Sequence, residues 1–156
     1  MKLYSNQSLN ELSQNAAQSE RKRCNLNIHE QLEDEVQRLF LAFEPETYVR
    51  PHRHPQAHKW ELFILLKGDI DMLIFSDNGE LKQRLNLSDT GYRAVEIPPD
   101  TWHSYISNKS GSQALEIKQG AYIPQSAHDF APWAPDEKDP QAADFLAIMR
   151  KLQVAT

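Results

Sequence analysis

Residues 51–61 read PHRHPQAHKWE and place His52, His54 and His58 within eleven residues of a chain that has six histidines. Imidazole nitrogens and carboxylate oxygens are the donors that hold a divalent transition ion where thiolates are lacking, and Cys24 is the only cysteine. On an extended segment His52 and His54 share one face while Arg53 takes the other. Pro51 and Pro55 bracket the pair and remove ladder donors, which a strand end or edge tolerates. A solvated, histidine-rich surface turn is the competing reading. Glu61 opens an apolar stretch and has the parity of Phe63 and Leu65, which points it inward. An unpaired interior carboxylate is costly, so it needs a cationic partner. His103, 42 residues later, follows the IPPD turn and opens another strand. Arg50 shares the parity of His52 and Tyr105 that of His103, so both are candidates for lining a substrate pocket, with a surface ion pair and plain core as their alternatives.

These residues need short strands to bring them together. The SLNELSQNAAQSERKR segment reads as a helix, with Ser8 and Glu11 at capping-box spacing and Leu9, Leu12 and Ala16 at helical intervals. Residues 36–43, VQRLFLAF, are read as a strand against a helical alternative. TYVRPHRH, KWELFILLK, DIDMLIF, LKQRLNL, YRAVEI, WHSYIS and QALEIKQ follow as seven strands between polar turns, the pattern of an antiparallel sandwich or barrel. QAADFLAIMRKLQ is the last helix, with Asp139 as its cap, Pro140 in its first turn and Phe145, Leu146, Met149 and Leu152 as its apolar face. One domain is expected, divided into a helix and polar lead-in (1–35), a barrel (36–120) and an extension whose helix packs on the barrel (121–156). His29 and His128 read as capping or surface residues.

Composition removes several classes of function. The net charge is −5 and the only basic run is Arg21, Lys22 and Arg23, so nucleic acid is not an expected partner. No apolar run approaches the roughly 18 residues of a membrane span, and MKLYSNQSLNEL lacks the apolar core of a secretory leader. A cytoplasmic protein is expected. GxSxG, P-loop, dinucleotide-binding and HExxH patterns are missing.

HRHPQAHKWE, followed by six residues and Gly68, resembles the first cupin motif, and IPPDTWHSYISN the second, with Pro98 five positions before His103. The resemblance implies a mainly β cupin fold, a double-stranded β-helix or jelly-roll barrel, with short flanking N- and C-terminal helices. It also implies one divalent transition metal (Fe, Mn, Ni or Zn) held by His52, His54, Glu61 and His103. RCNLNIH, VQRLFLAFEPETYVRPHRHP, KWELFILLKG and DFAPWAPDE are similar to the WbuC-type cupin metalloproteins, often encoded among surface-polysaccharide genes. Three features depart from the general pattern. Six residues separate His54 from Glu61, which makes His58 a rival ligand; Asp100 stands where glycine is usual; and Asn108 and Gly91 are each displaced by one position.

Four protein donors around an octahedral ion leave two positions for a small ligand. The expected function is a metal-dependent enzyme acting on a small oxygenated or sugar-derived substrate, with Glu61 or His58 moving a proton. A noncatalytic metal-dependent binding module and a metal-free sugar-nucleotide epimerase are the alternatives, so whether the protein is an enzyme stays open. Trp60, Leu62, Ile64 and Leu66 form a second apolar face on the Glu61 strand that a helix or the partner of a homodimer must cover.

Overall fold

The computed structural model describes residues 1–154. Its elements are α1 (Asn6–Gln18), β1 (Arg23–Asn27), β2 (Val36–Phe43), β3 (Glu61–Lys67), β4 (Ile70–Phe75), β5 (Leu81–Leu87), β6 (Ala94–Ile97), β7 (Trp102–Ser107), β8 (Ser112–Gln119) and α2 (Ala142–Lys151), with a short 3₁₀ turn at Ala127–Asp129. The strands form a five-stranded sheet ordered β1-β2-β8-β3-β6 and a three-stranded sheet ordered β5-β4-β7. All pairings between these strands are antiparallel. The fold is mainly β, a jelly-roll barrel with a short helix at either end of the chain.

Strand alternation divides the apolar residues among three clusters. Phe43, Phe63, Leu65, Ile70, Met72, Leu87 and Tyr105 fill the barrel between the two sheets. Leu73, Phe75, Trp102 and Ile106 face outward, and α2 covers them with Ala142, Leu146 and Met149. This is why all six residues of β7 are buried. Leu12 and Ala16 of α1 pack on Ala42, Cys24, Leu26 and Phe40. Phe145 and Leu152 lie at the border of the α2 cluster, as the helical spacing predicts.

Four local expectations are corrected. TYVRPHRH is not a strand; His52 alone makes isolated bridges, to His103 and Phe130. Pro51 and Pro55 lack the N–H groups a continuous ladder needs. Helix α1 is capped by Ser5, whose hydroxyl accepts from the Ser8 N–H at 3.2 Å, because the helix begins before Ser8. His29 is buried, and its Nδ1 lies 3.1 Å from the Arg38 N–H, which donates to it. Asp139 accepts from the Gln141 N–H at 2.8 Å in the turn before α2 and does not cap it: the helix starts at Ala142, past Pro140, and its N-cap Gln141 makes no side-chain bond. Residues 1–35 also carry β1, an edge strand beside β2.

Arg84 ties α2 to the barrel. Its Nε and one terminal nitrogen donate to Asp71 at 3.0 and 2.7 Å, and the other donates to the Arg150 and Leu152 carbonyls at 3.0 and 3.1 Å. Burial by itself would raise the Asp71 pKa, but hydrogen bonds from Asn108, Asn86 and Arg84 outweigh it and hold the carboxyl below its ordinary value. Arg84→Met is expected to cost about 3 kcal/mol in urea unfolding at pH 7, since it strands a buried carboxylate. The Asp71 contribution is present above the unfolded value of about 3.9 and is lost as pH falls through the lower folded value. The gap between variant and wild type should therefore persist at pH 5 and close only in stronger acid; a gap that vanishes by pH 5 contradicts this.

Candidate metal centre

The histidines are positioned by backbone pairing rather than by a long strand. The His52 N–H donates to the His103 carbonyl at 3.0 Å and the His103 N–H returns a bond at 2.9 Å. On the other flank, the Arg53 N–H donates to Asp129 and the Ala131 N–H to Pro51, both at 2.9 Å. The segment after β8 thus holds the His52 segment in place. The Asp100 N–H donates to the His54 carbonyl at 2.8 Å, so the turn that launches β7 is tied to the same stretch. Asp100 has φ +59°, a left-handed conformation that aspartate can adopt where most side chains do not.

His52, His54 and His103 each bring a donor atom within 4.8 Å of the others. Glu61, 1% exposed, places Oε1 2.9 Å from His54 Nε2 and Oε2 3.0 Å from His103 Nε2. Despite these distances, His54 Nε2, His103 Nε2 and both Glu61 oxygens have no partner in hydrogen-bond geometry. Donors arranged around a shared ion have this relation: close to one another, yet not aimed at one another. Cis ligands of an octahedral ion with bonds of about 2.1 Å lie about 3.0 Å apart, whereas the edge of a tetrahedron would be about 3.4 Å. The Nδ1 atoms of His52 and His103 lie 3.0 and 2.9 Å from the Arg50 and Thr101 carbonyls. This fixes Nδ1 as the donor and leaves the Nε2 lone pair free, the outer support typical of ligating histidines. These residues fit a divalent transition ion.

Charge around the group is balanced by residues the sequence reading missed. Lys118, opposite Glu61 in the β3–β8 register, places Nζ 3.2 Å from Glu61 Oε1 and 3.0 Å from Glu116 Oε2. Burial would raise the Glu61 pKa, but the Lys118 charge with His103 and His54 holds it well below the carboxylate range. Burial, and then the charge of His103, pushes His52 well below the usual imidazole value. Along β8, Ala114 is fully buried and shares its parity with Glu116 and Lys118, so two charged residues are turned inward.

Two cavities adjoin the group. One, of about 940 Å³, is lined by His52, Arg50, Arg23, Tyr48 and Phe130 among others. The other, about 60 Å³, is lined by His54, Glu61, Lys118, Lys59, Trp60 and Gln125 among others. Arg50 thus lines a cavity beside His52, with its guanidinium 5.2 Å from the Phe130 ring centre and 3.3 Å from Asp136. Tyr105 lies under the histidines, stacked on Phe63 with ring centres 4.7 Å apart, and its hydroxyl donates to Glu116 at 3.3 Å. It lines neither cavity. His58 is not brought to the group. The turn closed by the Lys59 N–H to the Gln56 carbonyl at 2.9 Å leaves it exposed and lying against Gly120.

Solved structures of low identity share this fold. A cupin 2 domain-containing protein from Halorhodospira halophila aligns with a TM-score of 0.53 at 15% identity, over 86% of this chain and 85% of that one. KdgF from a Halomonas species aligns at 0.52 and 13%, over 64% of this chain and 80% of that one. Oxalate oxidase in complex with the substrate analogue glycolate aligns at 0.53 and 13%, over 70% of this chain, which spans only 56% of that enzyme. The likeness places the chain's fold among the cupins. Comparison with curated proteins gives no match. The family model described as Domain of unknown function (DUF6016) matches residues 4–87, a stretch that includes His52, His54, Glu61 and Gly68; this is more than half of the chain, which therefore belongs to that family.

Proposed function

We propose that the protein binds one divalent transition ion (Fe, Mn, Ni or Zn) through His52, His54, Glu61 and His103 and is a metal-dependent enzyme for a small oxygenated or sugar-derived substrate. The observation that carries this reading is the set of buried donor atoms 2.9–3.0 Å apart that make no hydrogen bonds to one another. A bound ion would supply Lewis-acid polarisation of a substrate oxygen. The cavity beside His52 is of a size that accepts a sugar-derived ligand, and Arg50 on its wall is a candidate for orienting it. Glu61, in contact with Lys118 and on the wall of the smaller chamber, is our candidate for moving a proton; His58, exposed on its turn, is the weaker candidate.

The WbuC-like segments quoted above support a role in surface-polysaccharide (O-antigen) biosynthesis in the cytoplasm. Among the described residues, no helix is long and apolar enough to cross a membrane. A metal-free epimerase is disfavoured by Tyr105, whose hydroxyl is buried and committed to Glu116.

The test is a screen of hydroxy acids and sugar derivatives with metal-loaded protein, followed by NMR, in parallel with His52→Ala. Turnover should appear in the wild type and vanish in the variant. Turnover that survives in metal-free variant protein would end this reading. The sheet face bearing Leu62, Ile64, Leu115 and Ile117 is only half-buried, and Leu66 beside it is exposed, so we also propose a homodimer packed through it. Light scattering should give twice the chain mass, and the chain mass alone would contradict this.

A further inference from the structure

We propose that Lys118, with Lys59 and the amide of Gln125, anchors a carboxylate of the ligand in the small chamber beside Glu61; the inference rests on the metal-binding reading above. An ammonium has three donors, and Lys118 Nζ lies at ion-pair distance from only two carboxylates, Glu116 and Glu61. Its side chain nevertheless keeps 28% exposure and lines the chamber. A further N–H is therefore available to an occupant.

Lys59 is on the same wall, with Nζ donating to the Ala121 carbonyl at 2.8 Å. Gln125 lines both cavities, and its Nε2 is buried without a partner. Three donor groups therefore border one chamber in which Glu61 is the only carboxylate on the wall among the described residues, and Glu61 and, behind Lys118, Glu116 both lie at ion-pair distance from Lys118.

Charge balance selects the ligand. Glu61 and Glu116 offset Lys59 and Lys118 before an ion is added, and histidines that ligate through nitrogen are neutral. A divalent cation would leave the chamber with excess positive charge, one unit even when Asp129 near Lys59 is counted, a costly state in a buried site unless an anion enters. A chamber of about 60 Å³ favours a small occupant such as a carboxylate with its neighbouring oxygen. The geometry favours a 2-hydroxy acid or similar carboxylate over a neutral diol.

The experiment is isothermal titration calorimetry on full-length protein carrying one equivalent of metal, with metal content read separately by elemental analysis. The probes are glycolate and the neutral diol ethylene glycol. Glycolate should bind at least about tenfold more tightly, and Lys118→Met should remove at least about tenfold of that affinity, about 1.4 kcal/mol, while retaining the ion. Lys59→Met should lower it by a smaller factor. Equal binding of the two probes, or an unchanged glycolate affinity in Lys118→Met, overturns the proposal. So does loss of the ion from Lys118→Met, which would make Lys118 a support for Glu61 instead. If that variant does not fold, the two probes on wild-type protein decide. Wild-type protein that takes up no metal overturns the metal reading itself, whereas loaded protein without a preference for glycolate overturns the carboxylate site alone.

Discussion

Replacing His103 with alanine should lower affinity for a divalent transition ion by more than about a hundredfold. Loss of an outer hydrogen-bond partner alone costs about 10–100-fold, and His103 is expected to be a direct donor. It is 1% exposed, its ring is held at Nδ1 by the Thr101 carbonyl at 2.9 Å, and its Nε2 is buried without a hydrogen bond. Competition with a chromophoric chelator measures the effect, and circular dichroism checks that β7 survives. His58→Ala is the control and should leave affinity within about twofold, a difference of about 0.4 kcal/mol. An effect of His58→Ala as large as that of His103→Ala would make His58 the ligand that its spacing also allows.

Gly68→Ala should destabilise the fold by about 4 kcal/mol, combining left-handed strain with overpacking of about 1–3 kcal/mol each. Gly68 has φ +99°, and a Cβ there would sit 2.7 Å from the Ser112 Cα. The Ser112 backbone cannot rotate away, and its hydroxyl is bonded to the Lys109 carbonyl at 2.6 Å. Gly111 separates the two causes. Its φ is also positive, at +67°, but the nearest atoms to a Cβ there are 4.0 Å away. Gly111→Ala should therefore cost only the backbone strain, about 1–2 kcal/mol. Equal losses in urea unfolding would show that close approach to Ser112 contributes nothing.

The strands after Gly68 were legible because each is a short apolar run bounded by polar turns, even where both faces are covered as in β4 and β7, and residues 36–43 resolved as a strand because β1 and β8 flank them on either side. The histidine segment was legible in chemistry but not in backbone. Parity put His52 and His54 together, while two prolines stopped the ladder that parity assumed. His29 was misread because its burial depends on pairing with Arg38, nine residues away, which local polarity does not reveal. Lys118 and Gln125 were missed for a similar reason. Their relation to Glu61 and His54 exists only once β8 lies beside β3 and the following segment crosses the barrel mouth.

Elemental analysis of protein purified without a histidine tag tests the central claim most directly. It should find one equivalent of a divalent transition metal in the wild type and none in the His52, His54 and His103 triple alanine variant. Wild-type protein that stays metal-free after reconstitution, or a triple variant that keeps its metal, would contradict the claim.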